Sequence, residues 1–195
     1  MTTSKTATST ATKTSISFPV WKYVIFPGIR RGSQFLPQNA RDFSANRGPL
    51  NMLIELADAE INGEFSLVKV TLRKIGMEGA VSLPQILAQA IKLGLDSCPR
   101  LLAPSLLQDY REVGGNLIIG SLDVKASMSD TLRPLPEEYC NAIFALTKDC
   151  TGERRLREVC VCPKTRFSTV PSKDDPWSEF EWLFVKPRTD YLGLR

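Results

Sequence analysis

The segment from Glu64 to Gly94 constrains the fold most, because it joins a strand pattern directly to a capped helix. Apolar and polar residues alternate in FSLVKVTLRK, which is typical of a strand buried on one face. Ser82 and Gln85 stand at the start of SLPQILAQAIKLGL with the spacing of a capping box. The helix that follows has one apolar face, and Gly94 can end it in the left-handed conformation. This combination predicts a sheet packed against helices.

Weaker patterns predict the remaining elements. Residues Pro49–Ala59 favour a short helix or strand. Further along, we expect a helix over Pro104–Gly114, a strand over 116–128, a helix over Pro136–Lys148, a strand over Arg155–Phe167 and a strand around Trp182 and Phe184. This irregular order predicts an α+β fold: an antiparallel or mixed β-sheet packed against two or three helices on one side, with a disordered N-terminal arm.

Composition divides the chain into three parts. Residues 1–16 form a Ser/Thr/Lys-rich tail that cannot bury apolar surface and is predicted to be disordered. Residues 17–49 are a basic aromatic arm and linker, and residues 50–195 are a single α+β core domain. Within the arm, Val20–Phe26 favours a short strand. The arm suits a membrane interface or a partner groove, or it docks on the body and buries its aromatic residues.

Positive charge is concentrated near the N-terminus. The net charge is +4, yet residues 1–47 contain seven Lys or Arg and a single acid, Asp42. This arm suggests an anionic partner, although a merely soluble tail is the alternative. The candidate membrane or nucleocapsid contacts are Lys5, Lys13, Lys22, Arg30, Arg31, Arg41 and Arg47. The candidate self-association residues are Phe18, Trp21, Tyr23 and Phe26.

A second basic patch lies in the C-terminal half. It contains Arg154, Arg155, Arg157, Lys164 and Arg166. Two acids, Glu153 and Glu158, are interleaved with these cations. The patch suits phosphate groups, and a solvated strand face explains it equally well.

Catalytic patterns are missing from the sequence. There is no histidine, which excludes Ser-His and Cys-His catalysis within this chain. The glycine clusters fit neither common phosphate-loop motif. We therefore predict a non-enzymatic protein with no catalytic residues, no metal, no cofactor and no small-molecule substrate.

Five cysteines, an odd number, are predicted to be reduced intracellular thiols. Cys160 and Cys162 look like half of a metal site, but no paired C-x-x-C completes it. Buried thiols are therefore the favoured interpretation.

The order of elements resembles that of rhabdovirus matrix proteins, particularly those of the plant-infecting branch. The resemblance rests on FSLVKVTLR, SLPQILAQAIKLGL and LLAPSLLQDYREVGGNLIIGSLDV, and it covers roughly residues 60–125. It implies a small structural protein that self-associates, binds the inner membrane leaflet, condenses the nucleocapsid and drives budding. The implied partners are further copies of the chain, nucleocapsid or RNA, and an anionic membrane surface. The implied location is the virion, the host cytoplasm and inner membrane face, or the nucleus.

Two other functions fit the same residues. One is a viral accessory protein, such as a silencing suppressor or movement factor, that holds RNA by charge. The other is an organelle-imported protein with residues 1–45 as a transit peptide, because this segment is rich in Ser and Thr and poor in acids.

Overall fold

Strands and helices alternate irregularly in the computed structural model, which describes residues 17–36, 47–109, 116–127, 139–148, 154–161, 163–170 and 178–187. The strands are β1 (Lys22–Arg31), β2 (Glu60–Val70), β3 (Ala80–Val81), β4 (Leu117–Ile119), β5 (Val124–Ser127), β6 (Tyr139–Lys148), β7 (Arg154–Cys160), β8 (Phe167–Ser168) and β9 (Glu181–Lys186). The helices are α1 (Arg47–Glu55), α2 (Leu83–Lys92) and α3 (Leu102–Asp109), with 3₁₀ turns at Gly32–Phe35 and Arg73–Ile75. The predicted α+β class is confirmed.

The main sheet is mixed, which is one of the two forms predicted. Its strands follow the order β1-β2-β9-β4-β6-β5, and β7 pairs with β6. β4 and β9 run parallel, while every other pair in the sheet is antiparallel. β4 and β5 pair with different parts of one edge of β6, and β7 occupies the opposite edge. β3 and β8 form a separate two-stranded ribbon.

Both faces of this sheet are covered, which corrects the prediction of helices on one side. On what we call the α1 face, Leu67, Phe144 and Leu183 pack with residues of α1 and α3. On what we call the α2 face, Ile143 and Trp182 pack with α2 and with the β3–β8 ribbon. The sequence carried a signal of this arrangement, because β4, β6 and β9 contain consecutive apolar residues. Such runs are typical of strands buried on both faces.

α2 forms as its sequence predicts. Ser82 is its N-cap, and the Ser82 backbone N–H donates to the Gln85 side-chain oxygen at 2.9 Å. Pro84 lies in the first turn, where no intrahelical N–H donor is needed. Gly94 follows the helix with φ 77°, in the left-handed region. The capping box and the glycine stop are therefore confirmed.

The helix predicted over Pro136–Lys148 is wrong, since Tyr139–Lys148 forms strand β6. Its Ala and Leu residues favour a helix, but pairing along both edges and burial on both faces outweigh that preference. The strand over 116–128 is interrupted between β4 and β5. The strand over Arg155–Phe167 ends at Cys160 and resumes at Phe167 as β8.

β1 belongs to the core domain, whereas the sequence placed the start of that domain at residue 50. It pairs with β2 from Lys22 opposite Leu67 to Arg31 opposite Glu60. Phe18 and Phe26 are buried in the two cores, and their burial explains why this segment docks. The core therefore extends back to residue 17. The tail at 1–16 lies outside the described residues.

Candidate nucleic-acid interface

Arg155 and Arg157 lie on one face of β7. Arg157 stands opposite Ala145 of β6, whose side chain is in the core of the α2 face. Arg155 is two residues away and shares that face, because side chains alternate along a strand. Both are exposed, while the intervening Leu156 packs into the α1 face. β7 thus holds two guanidinium groups side by side towards solvent.

Glu158 faces away from these arginines. Its carboxylate packs against the first turn of α1, where a Cβ on Gly48 would overlap it. Partial burial raises the pKa of Glu158. The acid therefore lies beneath α1, on the face of β7 opposite Arg155 and Arg157. Its position in the sequence had suggested that it would lie among these cations. Glu153 and the side chain of Arg154 lie outside the described residues.

The connection from β7 to β8 carries the other two cations of the patch. Lys164 and Arg166 are exposed. The Arg166 guanidinium donates to the backbone oxygens of Pro163 and Thr165, at 2.7 and 2.8 Å, and so holds the turn in place. Phe167, the next residue, packs edge-on against Trp182 with ring centroids 5.0 Å apart on the α2 face. We use the name β7 basic surface for the exposed cations of β7 and of its connection to β8, which are Arg155, Arg157, Lys164 and Arg166.

The cations of the predicted arm occupy a different part of the sheet. Lys22, Arg30 and Arg31 lie on β1, at the other end of the strand order from β7. The Arg31 guanidinium pairs with Glu60 at 3.1 Å, and the Arg30 guanidinium lies 5.4 Å from the Phe26 ring centroid. Lys5, Lys13 and Arg41 and the side chain of Arg47 lie outside the described residues.

The aromatic residues predicted to mediate self-association do not form one surface. Phe18 is 3% exposed and Phe26 1% exposed, so neither is available to a partner. Trp21 is half-buried and receives Lys69 Nζ at 4.8 Å from its ring centroid. Tyr23 is 69% exposed. The structure therefore removes Phe18 and Phe26 from the proposed contact, because Phe18 is buried in the core of the α2 face and Phe26 in the core of the α1 face.

Two exposed residues on β1 were missed. Ile25 and Ile29 extend the apolar surface begun by Tyr23. The alternation of Tyr23 and Ile25 with inward Val24 and Phe26 was the available signal.

The outer half of β1 is poorly suited to pairing with another strand. Pro27 lacks a backbone N–H, and Gly28 adopts φ 87°. The pairing with β2 shifts register between Phe26 and Arg30. A proline, a bulge and flanking cations are features that discourage edge-to-edge association. A self-contact at β1 would therefore use side chains rather than extension of the sheet.

The two cysteines Cys98 and Cys160 differ in oxidation state. Cys98 is free and buried, as predicted, and its Sγ donates to the Leu183 carbonyl at 3.1 Å. Burial raises the pKa of this thiol. Cys160 is disulfide-bonded, so the prediction that all five cysteines are reduced is wrong. Among the described residues, no group of three His, Cys, Asp or Glu is placed to hold a metal ion.

The β7 basic surface can bind oxyanions. Guanidinium groups donate paired hydrogen bonds to phosphate, and a lysine adds a mobile positive charge. Contacts of this kind position a nucleic-acid backbone without identifying its bases.

Comparison of the chain with protein-family models, with curated proteins and with solved structures gives no match. The resemblance to rhabdovirus matrix proteins therefore stays a prediction from the sequence. Within the described part of the chain, no helix is long and apolar enough to cross a membrane.

Proposed function

We propose that this chain is a non-enzymatic structural protein of the viral matrix kind, whose folded body holds a cationic surface against nucleocapsid RNA. One observation carries the proposal. Arg155 and Arg157 share a face of β7, while the interleaved Glu158 lies on the opposite face beneath α1.

Binding of this kind depends on charge rather than base sequence. Each phosphate contact releases counterions, so affinity falls steeply as salt is added. A few contacts on one copy give weak binding. Many copies arrayed on one nucleocapsid add their contacts, so each contact can remain weak.

The test is the salt dependence of single-stranded RNA binding, measured by fluorescence anisotropy over about 50–200 mM salt. The variant changes Arg155, Arg157 and Lys164 to Gln and keeps Arg166, which holds the turn. Because each contact to a single strand contributes a slope of about 0.7 in log K against log salt, we expect the slope to fall by up to about 2.

A matched control changes three exposed cations outside β7 and its connection to β8, Lys74, Lys92 and Arg100, to Gln. It removes the same charge and should keep most of the slope. Equal losses in the two variants would mean that RNA responds to net charge alone, and the proposal would fail.

The membrane contact and self-association belong to the same proposal. Lys22, Arg30 and Arg31 lie on the same strand, β1, as the exposed apolar side chains of Tyr23, Ile25 and Ile29. This mixture of cations and apolar groups suits an anionic lipid surface. Each cation near such a surface contributes about 1 kcal/mol. Changing the three cations to Gln should reduce sedimentation with anionic liposomes, and unchanged sedimentation would reject this part.

A charge-driven RNA-binding accessory protein, such as a silencing suppressor or movement factor, is the second candidate. The β7 basic surface supports it equally. It requires RNA binding without lipid binding and without polymers that form as protein concentration rises. Sedimentation velocity across a concentration series, with and without liposomes, separates the two candidates. Removal of residues 1–45 in cells would instead indicate organelle import.

A further inference from the structure

A cleft on the α2 face lies where β2 ends and β9 begins. Its volume is about 390 Å³, and its walls include Leu72, Phe180 and Trp182. Small-molecule sites occupy roughly 300–1,000 Å³, so the cleft has room for one small ligand. The proposed matrix function requires no such ligand, so this cleft calls for a separate explanation.

Thr169 is a buried polar residue that lines the cleft. Thr169 is 7% exposed, and its backbone N–H donates to the Gly79 carbonyl at 3.0 Å. Across the described residues, its side-chain hydroxyl makes no hydrogen bond. Buried polar groups are nearly always hydrogen-bonded. The hydroxyl of Thr169 is therefore a group that a bound ligand would satisfy.

Two opposite charges line the same cleft. Arg73 follows the end of β2, and Glu179 precedes β9. Within the part of the chain that the structure describes, neither forms an ion pair, with the other or with any third residue. A cation and an anion that share a cleft without pairing suit a ligand that carries both charges.

We propose that this cleft binds a small zwitterion of the α-amino acid class. The ligand carboxylate pairs with the Arg73 guanidinium, and its ammonium pairs with the Glu179 carboxylate. Its apolar side chain lies towards Phe180 and Trp182. The hydroxyl of Thr169 hydrogen-bonds to the ligand.

Three probes of one shape test the charge requirement: L-phenylalanine, phenethylamine, which lacks the carboxylate, and 3-phenylpropionate, which lacks the ammonium. Binding to the full chain is followed by amide chemical shifts in NMR titrations. We expect saturable shifts at Thr169 and Trp182 with L-phenylalanine, and at least about tenfold weaker binding of the other two because each loses an ion pair.

Variants then assign the contacts. Arg73→Gln and Glu179→Gln remove exposed charges and should each weaken phenylalanine binding about tenfold without unfolding the protein. Lys74→Gln and Glu78→Gln remove neighbouring exposed charges that do not line the cleft, and they should bind as wild type does. The proposal is overturned if phenylalanine gives no saturable shifts, if all three probes bind alike, or if the two pairs of variants behave alike. None of these results bears on RNA binding at the β7 basic surface.

Discussion

Gly32 and Gly48 each lie so close to a neighbouring group that a side chain at either position would displace it. The two neighbouring groups differ in how easily they can move. A Cβ on Gly32 would overlap the Leu56 carbonyl, a backbone group at the end of α1. A Cβ on Gly48 would overlap only the Glu158 carboxylate, the far end of a flexible side chain. The first contact fixes backbone against backbone, whereas the second can relax by rotation of one side chain.

We therefore expect Gly32→Ala to lower the free energy of unfolding by about 1–3 kcal/mol, as overpacking does. Gly48→Ala should stay within about 1 kcal/mol of wild type, because alanine also favours the helix by a similar amount. Chemical denaturation of both variants measures this. Equal costs would contradict the close backbone approach at Gly32.

Cys98 should be inert in the native protein. Thiol reagents attack the thiolate, and the raised pKa of Cys98 makes that form scarce while burial blocks access. Labelling with iodoacetamide at about pH 8, followed by mass spectrometry, should modify Cys98 only after denaturant is added. Modification of native Cys98 at the rate of a free thiol would contradict its burial.

The roles of single residues in local structure were predictable from the sequence. The direction in which a side chain points was harder to predict. Ser82, Gln85 and Gly94 act within one turn of chain, so their roles follow from spacing alone. The direction of Glu158 depends on which face α1 covers, and α1 is far away in sequence. The positions of the cations were therefore readable from the sequence, whereas the separation of Glu158 from them was not.

The cap of α2 is testable by itself. Ser82→Ala removes the side chain of the capping box, and we expect a loss of about 1 kcal/mol in stability. Ala88→Gln is the control, because Ala88 is exposed in the middle of the same helix and glutamine is also a good helix former. Thermal unfolding of the two variants should separate them, and a cap variant as stable as the control would contradict the assignment.

β6 shows where element prediction failed. Its alanines and leucine favour a helix, but they also suit a central strand whose neighbours on both edges supply the hydrogen bonds. Periodicity cannot separate a buried strand from a buried helix in a short apolar run. The alternation in FSLVKVTLRK correctly predicted a strand, but β2 ends at Val70, and Leu67 and Val68 are buried on opposite faces where burial on one face was predicted.

The whole molecule depends on a sheet buried on both faces. Ile143 lies on the α2 face and Leu146 on the α1 face of the same strand, and both are 0% exposed. Ile143→Ala and Leu146→Ala should each lower the free energy of unfolding by about 2–5 kcal/mol. Thr147→Ala, at a half-buried position, should lower it by less. Urea denaturation measures all three. A small loss of unfolding free energy for Ile143→Ala alone would mean that the α2 face is exposed to solvent.

The proposed RNA contact depends on the separation of charge across β7, and the RNA affinities of the variants Glu158→Gln and Arg157→Gln test that separation. If Glu158 lies beneath α1, removing its charge should leave RNA affinity within about twofold of wild type, since the charge is on the far face of the strand. Arg157→Gln should weaken binding and lower the salt slope by about 0.7. A rise in affinity for Glu158→Gln as large as the fall for Arg157→Gln would place the acid in the RNA contact and contradict the separation of charge.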